Sequence, residues 1–448
     1  MTAHDTKIMD LNRFDPSAPS DRLGERLKRM LARRFATFGG NSILFYKRPV
    51  EMVSAKGAWM FDAEGKKYLD LYNNVPCVGH GNERVAEALF RQALTLNTNT
   101  RYLYDNIHTY AERLLATCPA PLSNVVFTCS GSESNDLALQ IVRAATGGSG
   151  FIVTENAYHG NTSAVHELSP SSCKGRRPPP HVRLVPPPES HRSGDGDPAG
   201  TLASNMERAI EDFKKNNIKF AGALLDSIFA SDGILGGPAG LLKPALDVIH
   251  RHGGLLIIDE VQPGFGRAGK GHWNFARHGI VPDLVTMGKP MGNGFPIGGV
   301  ATRPDLLEKF NRETAYFNTF GGSTLAAAAG LAVLDELEAE RMIENADRQG
   351  EYLMGRLREL ARTHTRIGDV RGAGLFIGVE FSKPGTREPD RESVTRLVND
   401  LKEQGVLIGA SGPFANVMRV RPPLCLSRDD ADYFIGKLKT ALEGMAPG

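Results

Sequence analysis

Cysteine is scarce: Cys77, Cys118, Cys129, Cys173 and Cys425 are the only five in 448 residues. Few, odd in number and far apart, they build neither a disulfide framework nor a paired-cysteine metal site. Long apolar runs are missing as well, and no stretch approaches the roughly 18 unbroken apolar residues of a membrane span. The opening segment, MTAHDTKIMDLNRFDP, has no apolar core behind a basic start and does not read as a secretory signal. A surplus of charge is lacking too. Lys and Arg number 53 against 51 Asp and Glu, a net charge of +2, whereas general nucleic-acid binding needs concentrated basic residues on phosphates. These absences suit a soluble enzyme of a reducing compartment, expected to be cytoplasmic, with no metal, nucleic acid or membrane as partner.

What is present is an ordinary globular balance, 41% hydrophobic and 23% charged residues, in a chain long enough for two or three domains. Glycine is in excess, 49 residues against an average of roughly 7%. From about residue 125, short apolar runs alternate with helical periodicity. The runs at 125–127, 151–153, 221–225, 255–258 and 284–285 lack polar alternation, as strands covered on both faces do. The segment 239–252 reads as an amphipathic crossover helix. This predicts an α/β fold, a large doubly wound and mostly parallel sheet whose ligands lie beyond the carboxyl ends of the strands. After about residue 330, helices at 324–338 and 343–363 lead into strands at 367–370 and 375–381. A helix near 391–404, strands near 406–409 and 417–421, and a helix at 428–443 follow, predicting a smaller α+β domain. The expected division is an N-terminal segment 1–70 packing on the small domain, a large domain 71–330 and a small domain 331–448. The first segment holds a basic helix (21–34) and a strand pair (57–61, 67–71). Residues 169–200 read as a Pro-rich loop.

Four strand ends carry candidate chemistry. Thr128-Cys129-Ser130-Gly131-Ser132-Glu133 follows one strand and opens a helix, where free N–H groups and the helix dipole suit an anion; an ordinary N-cap accounts for the same residues. Tyr158-His159-Gly160 places an aromatic face at the next strand end, and a tyrosine there serves a core equally well. Asp259-Glu260 ends a third strand, where a carboxylate needs a cationic partner or donors to offset desolvation; capping of the following turn is the other reading. Lys289 stands in a Gly/Pro-rich turn after the next strand. A surface lysine is solvated, but one desolvated near an acid becomes a nucleophile for a carbonyl. A phosphate cradle, a stacking ring, an acid and an amine are together what a phosphorylated pyridine aldehyde needs. By contrast, Gly264-Phe265-Gly266-Arg267-Ala268-Gly269-Lys270 only imitates a nucleotide loop, because Gly271 replaces the Ser or Thr a P-loop requires and no helix starts there.

These residues carry a family resemblance. Ile257-Ile258-Asp259-Glu260-Val261-Gln262 with Gly264-Phe265-Gly266-Arg267, and Thr286-Met287-Gly288-Lys289-Pro290-Met291-Gly292-Asn293-Gly294, resemble the class III pyridoxal-phosphate aminotransferases, which have the fold type I transferase architecture. Ser130-Gly131-Ser132-Glu133, Tyr158-His159-Gly160 and Asn318-Thr319-Phe320-Gly321-Gly322 fit the same pattern, from roughly residue 40 to the C-terminus. Asn73-Asn74-Val75, Gly79-His80, Leu96-Asn97-Thr98-Asn99 and Ile367-Gly368-Asp369-Val370-Arg371-Gly372 are similar to the branch that holds ethanolamine-phosphate phospho-lyase and mitochondrial alanine–glyoxylate aminotransferase.

The resemblance implies pyridoxal 5′-phosphate as cofactor, joined to Lys289 as a Schiff base, with Asp259 on the pyridinium nitrogen and Gln262 on the ring hydroxyl. It implies that Tyr158 stacks on the ring with His159 beside it, that Gly131 and Ser132 bind the phosphate, and that Thr319 comes from the second subunit of a homodimer. Arg419 matches the arginine that receives a substrate carboxylate. Asp226-Ser227-Ile228-Phe229 departs from the usual Glu-Pro-x-Gln, and Ser231 replaces an acidic switch residue, which sets the chain apart from 4-aminobutyrate and ornithine enzymes. The implied activity is ping-pong transfer of an amino group from an amine or amino acid to a 2-oxo acid. The alternative is elimination of phosphate from an amino-alcohol phosphate such as ethanolamine phosphate; Lys174, Arg176 and Arg177 of the Pro-rich loop could hold the leaving group, although a solvated basic run is the preferred reading of them. The phospho-lyase pattern has Lys where this chain has Arg419, which tilts the choice toward amino transfer. A cofactor-binding scaffold without catalysis ranks below both. Tyr46, Trp59 and Phe229 are candidate pocket walls.

Overall fold

The computed structural model describes residues 12–17, 23–40, 43–173, 175–188 and 196–445. Lys174 and the start of the expected basic helix, residues 21 and 22, lie outside them. A seven-stranded sheet forms the centre. In spatial order its strands are Asn124–Thr128, Gly298–Thr302, Leu284–Met287, Leu255–Asp259, Phe220–Asp226, Gly150–Thr154 and Val182–Val185. Only Gly298–Thr302 runs against its neighbours; the other six share one direction. The mostly parallel sheet is therefore as expected, and the five apolar runs are its strands.

Helices cover the sheet because its strands are apolar on both faces. The helix Gly131–Thr146 buries Leu137, Leu139, Ile141 and Val142, each contributing roughly 1.5–3 kcal/mol for a large side chain removed from water. Ser130 caps it by accepting from the Glu133 N–H, and Gly147 ends it in the left-handed conformation. The crossover helix is Lys243–Arg251, with Ala245, Leu246, Val248 and Ile249 buried.

The Pro-rich stretch corrects one expectation. It is not a single loop: it contains a one-turn helix, Pro170–Ser172, the strand Val182–Val185 and the start of the helix Pro198–Lys215. Prolines on both sides hide the strand in the sequence, yet as the sheet's last strand it tolerates them, because prolines are accommodated at sheet edges.

Two smaller sheets complete the fold. Met52–Lys56, Trp59–Asp62 and Lys67–Asp70 join Val406–Leu407, so the N-terminal residues share a sheet with the C-terminal part. Ile367–Ala373, Phe376–Phe381, Val417–Val420 and Gly409–Ser411 form an antiparallel sheet. The basic helix spans Glu25–Phe38 and buries none of its residues. Among the described residues, no helix is long and apolar enough to cross a membrane.

Candidate active site

Because six strands run the same way, their carboxyl ends meet at one edge. There Ser130 to Ser132, Tyr158 to Gly160, Asp259 with Val261 and Gln262, and Lys289 line a single cavity of about 270 Å³. Residues as far apart in sequence as Ser130 and Lys289 become wall-to-wall partners only through this topology. Val75, Cys129 and residues 294–297 close the remaining sides. Tyr46, Trp59 and Phe229 do not belong to that lining. Tyr46 is buried with its hydroxyl on the Ile408 carbonyl, Trp59 donates to Asp430, and Phe229 is packed in the core. The nucleotide-like loop 264–271 begins no helix, as expected. Arg176 and Arg177 line a different cavity with Cys173 and His166.

Asp259 is 6% exposed and is held on three sides. Its Oδ2 accepts from Asn135 Nδ2 at 2.9 Å and from His159 Nδ1 at 2.8 Å, and its Oδ1 accepts from the Val261 N–H at 3.0 Å. Asn135 is locked in turn: Nδ2 also donates to the His159 carbonyl at 2.7 Å, and Oδ1 accepts from the Thr286 hydroxyl at 2.6 Å. His159 Nε2 is buried without a protein partner. Asp226 ends the adjacent strand, paired in register with Asp259. Burial, and then the Asp259 charge, push its carboxyl up to about 6.

Lys289 is surrounded in two senses. Its surface is open to the cavity, yet the protein lies densely enough around the amine that burial is the largest influence on it and lowers it to about 8. Asp259 opposes that shift, while Arg421 and Arg419 reinforce it. The protein packed around the amine and the two guanidiniums act on its charge whether or not the cavity is filled, so the lowered value governs despite the opening. A lysine so placed gives up its proton far more readily than a solvated one, and the neutral amine is the form that attacks a carbonyl. The Tyr158 hydroxyl is raised, first by burial and then by Asp259.

At the opposite wall, the first N–H groups of the helix Gly131–Thr146 have no intrahelical acceptor and face an anion's position. The backbone here leaves no room for side chains. A Cβ on Gly131 would stand 2.8 Å from both Val261 methyl groups, and one on Gly160 would stand 2.6 Å from Ser132 Oγ. Gly160 also adopts φ +146°, in the range that favours glycine. The cradle, the held acid, the recessed amine and the unpaired His159 nitrogen fit a phosphorylated pyridine aldehyde.

Arg419 sits on the strand Val417–Val420, 9% exposed, with its Nε lacking a partner and its guanidinium 5.4 Å from the Tyr72 ring centre. Two residues on, Arg421 donates to Gln262 Oε1 and to the Tyr72 carbonyl. The sequence reading passed over Arg421; its signal was a second basic residue at i+2, just past the strand's end, where an extended chain keeps the two on one face. Asn135 was passed over too, its place in the capping segment hiding a role at the acid. Thr319 is exposed and is not part of its own chain's cavity lining.

Comparison with known proteins now decides the family. The model for aminotransferase class-III matches residues 46–442. The chain belongs to the class III aminotransferases. It is 37% identical to an alanine–glyoxylate aminotransferase 2-like protein of Drosophila melanogaster, covering 88% of this chain and 82% of that one. It is 36% identical to ethanolamine-phosphate phospho-lyase homolog 1 of Caenorhabditis elegans, covering 93% of each. Among solved structures, a phospholyase from Arthrobacter in complex with phosphoethanolamine matches with a TM-score of 0.90 and 42% identity, over 93% of this chain and all of that one. The fold is thus the pyridoxal-phosphate transferase fold, and the chain is an enzyme of an aminotransferase family that includes relatives named for both reactions.

Proposed function

We propose that this enzyme is an aminotransferase that moves an amino group from a small amine or amino acid to a 2-oxo acid. The observation that carries the reading is the Lys289 amine, lowered to about 8 and facing the same cavity as the thrice-held Asp259. The family's cofactor is pyridoxal 5′-phosphate, which supplies, when bound, the carbonyl that takes the amine and a ring that accepts the electron pair left on the substrate carbon. Gly131 and Ser132, with the helix N-terminus, would hold its phosphate, Tyr158 with His159 beside it would stand against the ring, and Gln262 would meet the ring oxygen. Asp259, oriented by Asn135 and His159, would hold a proton on the ring nitrogen. Lys289 would anchor the carbonyl and, as a free amine, would take the proton from the substrate carbon as general base. Arg419 receives the carboxylate of the acid substrate.

The complete site is that of a homodimer, in which Thr319 serves the second subunit's cavity. In support, the segment around Thr319 is one edge of an apolar surface: Phe320 is 71% exposed, and Leu103 92%, with Arg101 lying 4.0 Å over the Phe317 ring. The division into residues 1–70, 71–330 and 331–448 and a cytoplasmic location belong to the same reading. The shared sheet of N-terminal and C-terminal strands and the five free cysteines support them.

Purified holoenzyme mixed with alanine, β-alanine or simple amines should lose its cofactor's visible band, and pyruvate, glyoxylate or 2-oxoglutarate should restore it. Lys289→Ala should retain the fold and abolish the cycle; a fully active variant refutes the assignment.

A phospho-lyase is the alternative reading. Two buried guanidiniums, Arg419 and Arg421, flank Tyr72, more positive charge than one carboxylate neutralises. Inorganic phosphate released from ethanolamine phosphate, with no 2-oxo acid present, would establish that reaction in place of amino transfer.

A further inference from the structure

We propose that Arg421 is a positioning residue that fixes Gln262 as a hydrogen-bond donor to the ring oxygen of the bound cofactor and so keeps that oxygen ionised. The inference rests on the cofactor reading above and adds a residue to it. A guanidinium can donate but cannot accept. Arg421 Nη1 donates to Gln262 Oε1, so the side-chain carbonyl of Gln262 is turned toward Arg421. Its amide N–H group is left for the cavity that Gln262 lines. Without such a clamp, an amide could present either face; with it, only the donor remains, and a donor favours an anionic oxygen over a hydroxyl.

Arg421 is itself immobilised. Nε and Nη2 both donate to the Tyr72 carbonyl, at 3.2 Å and 2.9 Å. The rings of Tyr72 and Phe376 lie 5.6 Å and 5.7 Å from the guanidinium, and the residue is 5% exposed. All three hydrogen bonds end on neutral oxygens, so none neutralises the charge. Burial, then Arg419, press against the protonated form, with Arg267 in the same sense; Tyr72 and Asp70 favour it. Asp70 is already engaged by His80 at 2.7 Å. On the cavity side, the Asp259 carboxylate is already held by Asn135, His159 and the Val261 N–H. A buried cation compensated by dipoles alone stabilises an anion placed within reach. The amide of Gln262 lies between the two and is oriented to do the same.

The test follows the visible band of the holoenzyme as pH is varied. In Arg421→Met the ring oxygen loses its fixed donor and a nearby cation and holds its proton more tightly. The midpoint of the band's change should therefore move up by about one pH unit, the shift that a lost charge-assisted hydrogen bond of roughly 1.4 kcal/mol produces. Arg421→Lys should move it less, since an ammonium keeps the charge but cannot grip Tyr72 and Gln262 at once. Should Arg421→Met fail to fold, Gln262→Leu removes the donor and leaves Arg421 in place, and must raise the midpoint as well. A parent-like midpoint in Arg421→Met or Gln262→Leu overturns the inference alone, as does a Lys variant shifted as far as the Met variant. A parent protein with no such band overturns the cofactor reading and this inference with it.

Discussion

A lysine amine near pH 8 makes a prediction that a solvated lysine does not. Burial lowers Lys289 from 10.5 to about 8, so below that pH the amine of the cofactor-free protein is protonated and cannot attack. The rate at which the cofactor-free protein recaptures pyridoxal 5′-phosphate should therefore rise with pH and level off above about 8, as stopped-flow absorbance can measure. The same shift acts on stability. The unfolded chain holds the Lys289 proton up to 10.5 and the folded chain only to about 8, so this group's contribution to folding is lowest below 8 and grows between those two values. Asn135 makes a second prediction. Asn135→Leu strips Asp259 of one donor and leaves the Thr286 hydroxyl and the His159 carbonyl without their partner. Buried groups so orphaned cost roughly 1–3 kcal/mol each, so denaturant unfolding should show a loss of about 2–4 kcal/mol, with weaker cofactor retention on dialysis.

The helix Gly131–Thr146 shows how one element serves both fold and site. Its apolar face anchors it on the sheet, and its first residue, Gly131, is bare of a side chain because Val261 stands where a Cβ would go. Gly131→Ala should cost about 1–3 kcal/mol of stability through overpacking and move the N–H groups off the phosphate, so that the cofactor is lost more readily in gel filtration. Gly355→Ala, in the helix Met342–Thr363 where nothing lies within 4 Å of the added Cβ, is the control. It should be neutral or stabilise by up to about 1 kcal/mol. The strands feeding this edge were legible because each is a short apolar run ending in a polar or Gly-rich turn. The edge strand Val182–Val185 and the reversed strand Gly298–Thr302 were not. One is framed by prolines, and the other opens with two glycines, so neither carries the pattern of a buried strand.

For the whole molecule, the apolar surface around Leu103 and Phe320 predicts obligate pairing. Leu103→Glu combined with Phe320→Ser should yield monomers in light-scattering chromatography, and those monomers should lack turnover because Thr319 no longer reaches a second cavity. A monomeric parent with full activity would refute the shared site.

Amino-acid order by itself determined the sheet's apolar strands, the family, and which residue types stand at the strand ends, because burial on both faces and glycine-bordered turns leave a local imprint. Only the tertiary structure decided that Asn135 braces Asp259, that Asp226 lies beside it, and that Arg421 grips Gln262 from the C-terminal part of the chain. Such contacts join residues more than 30, and often more than 100, positions apart. Their energies depend on distance and desolvation at one sheet edge, quantities that no local pattern encodes.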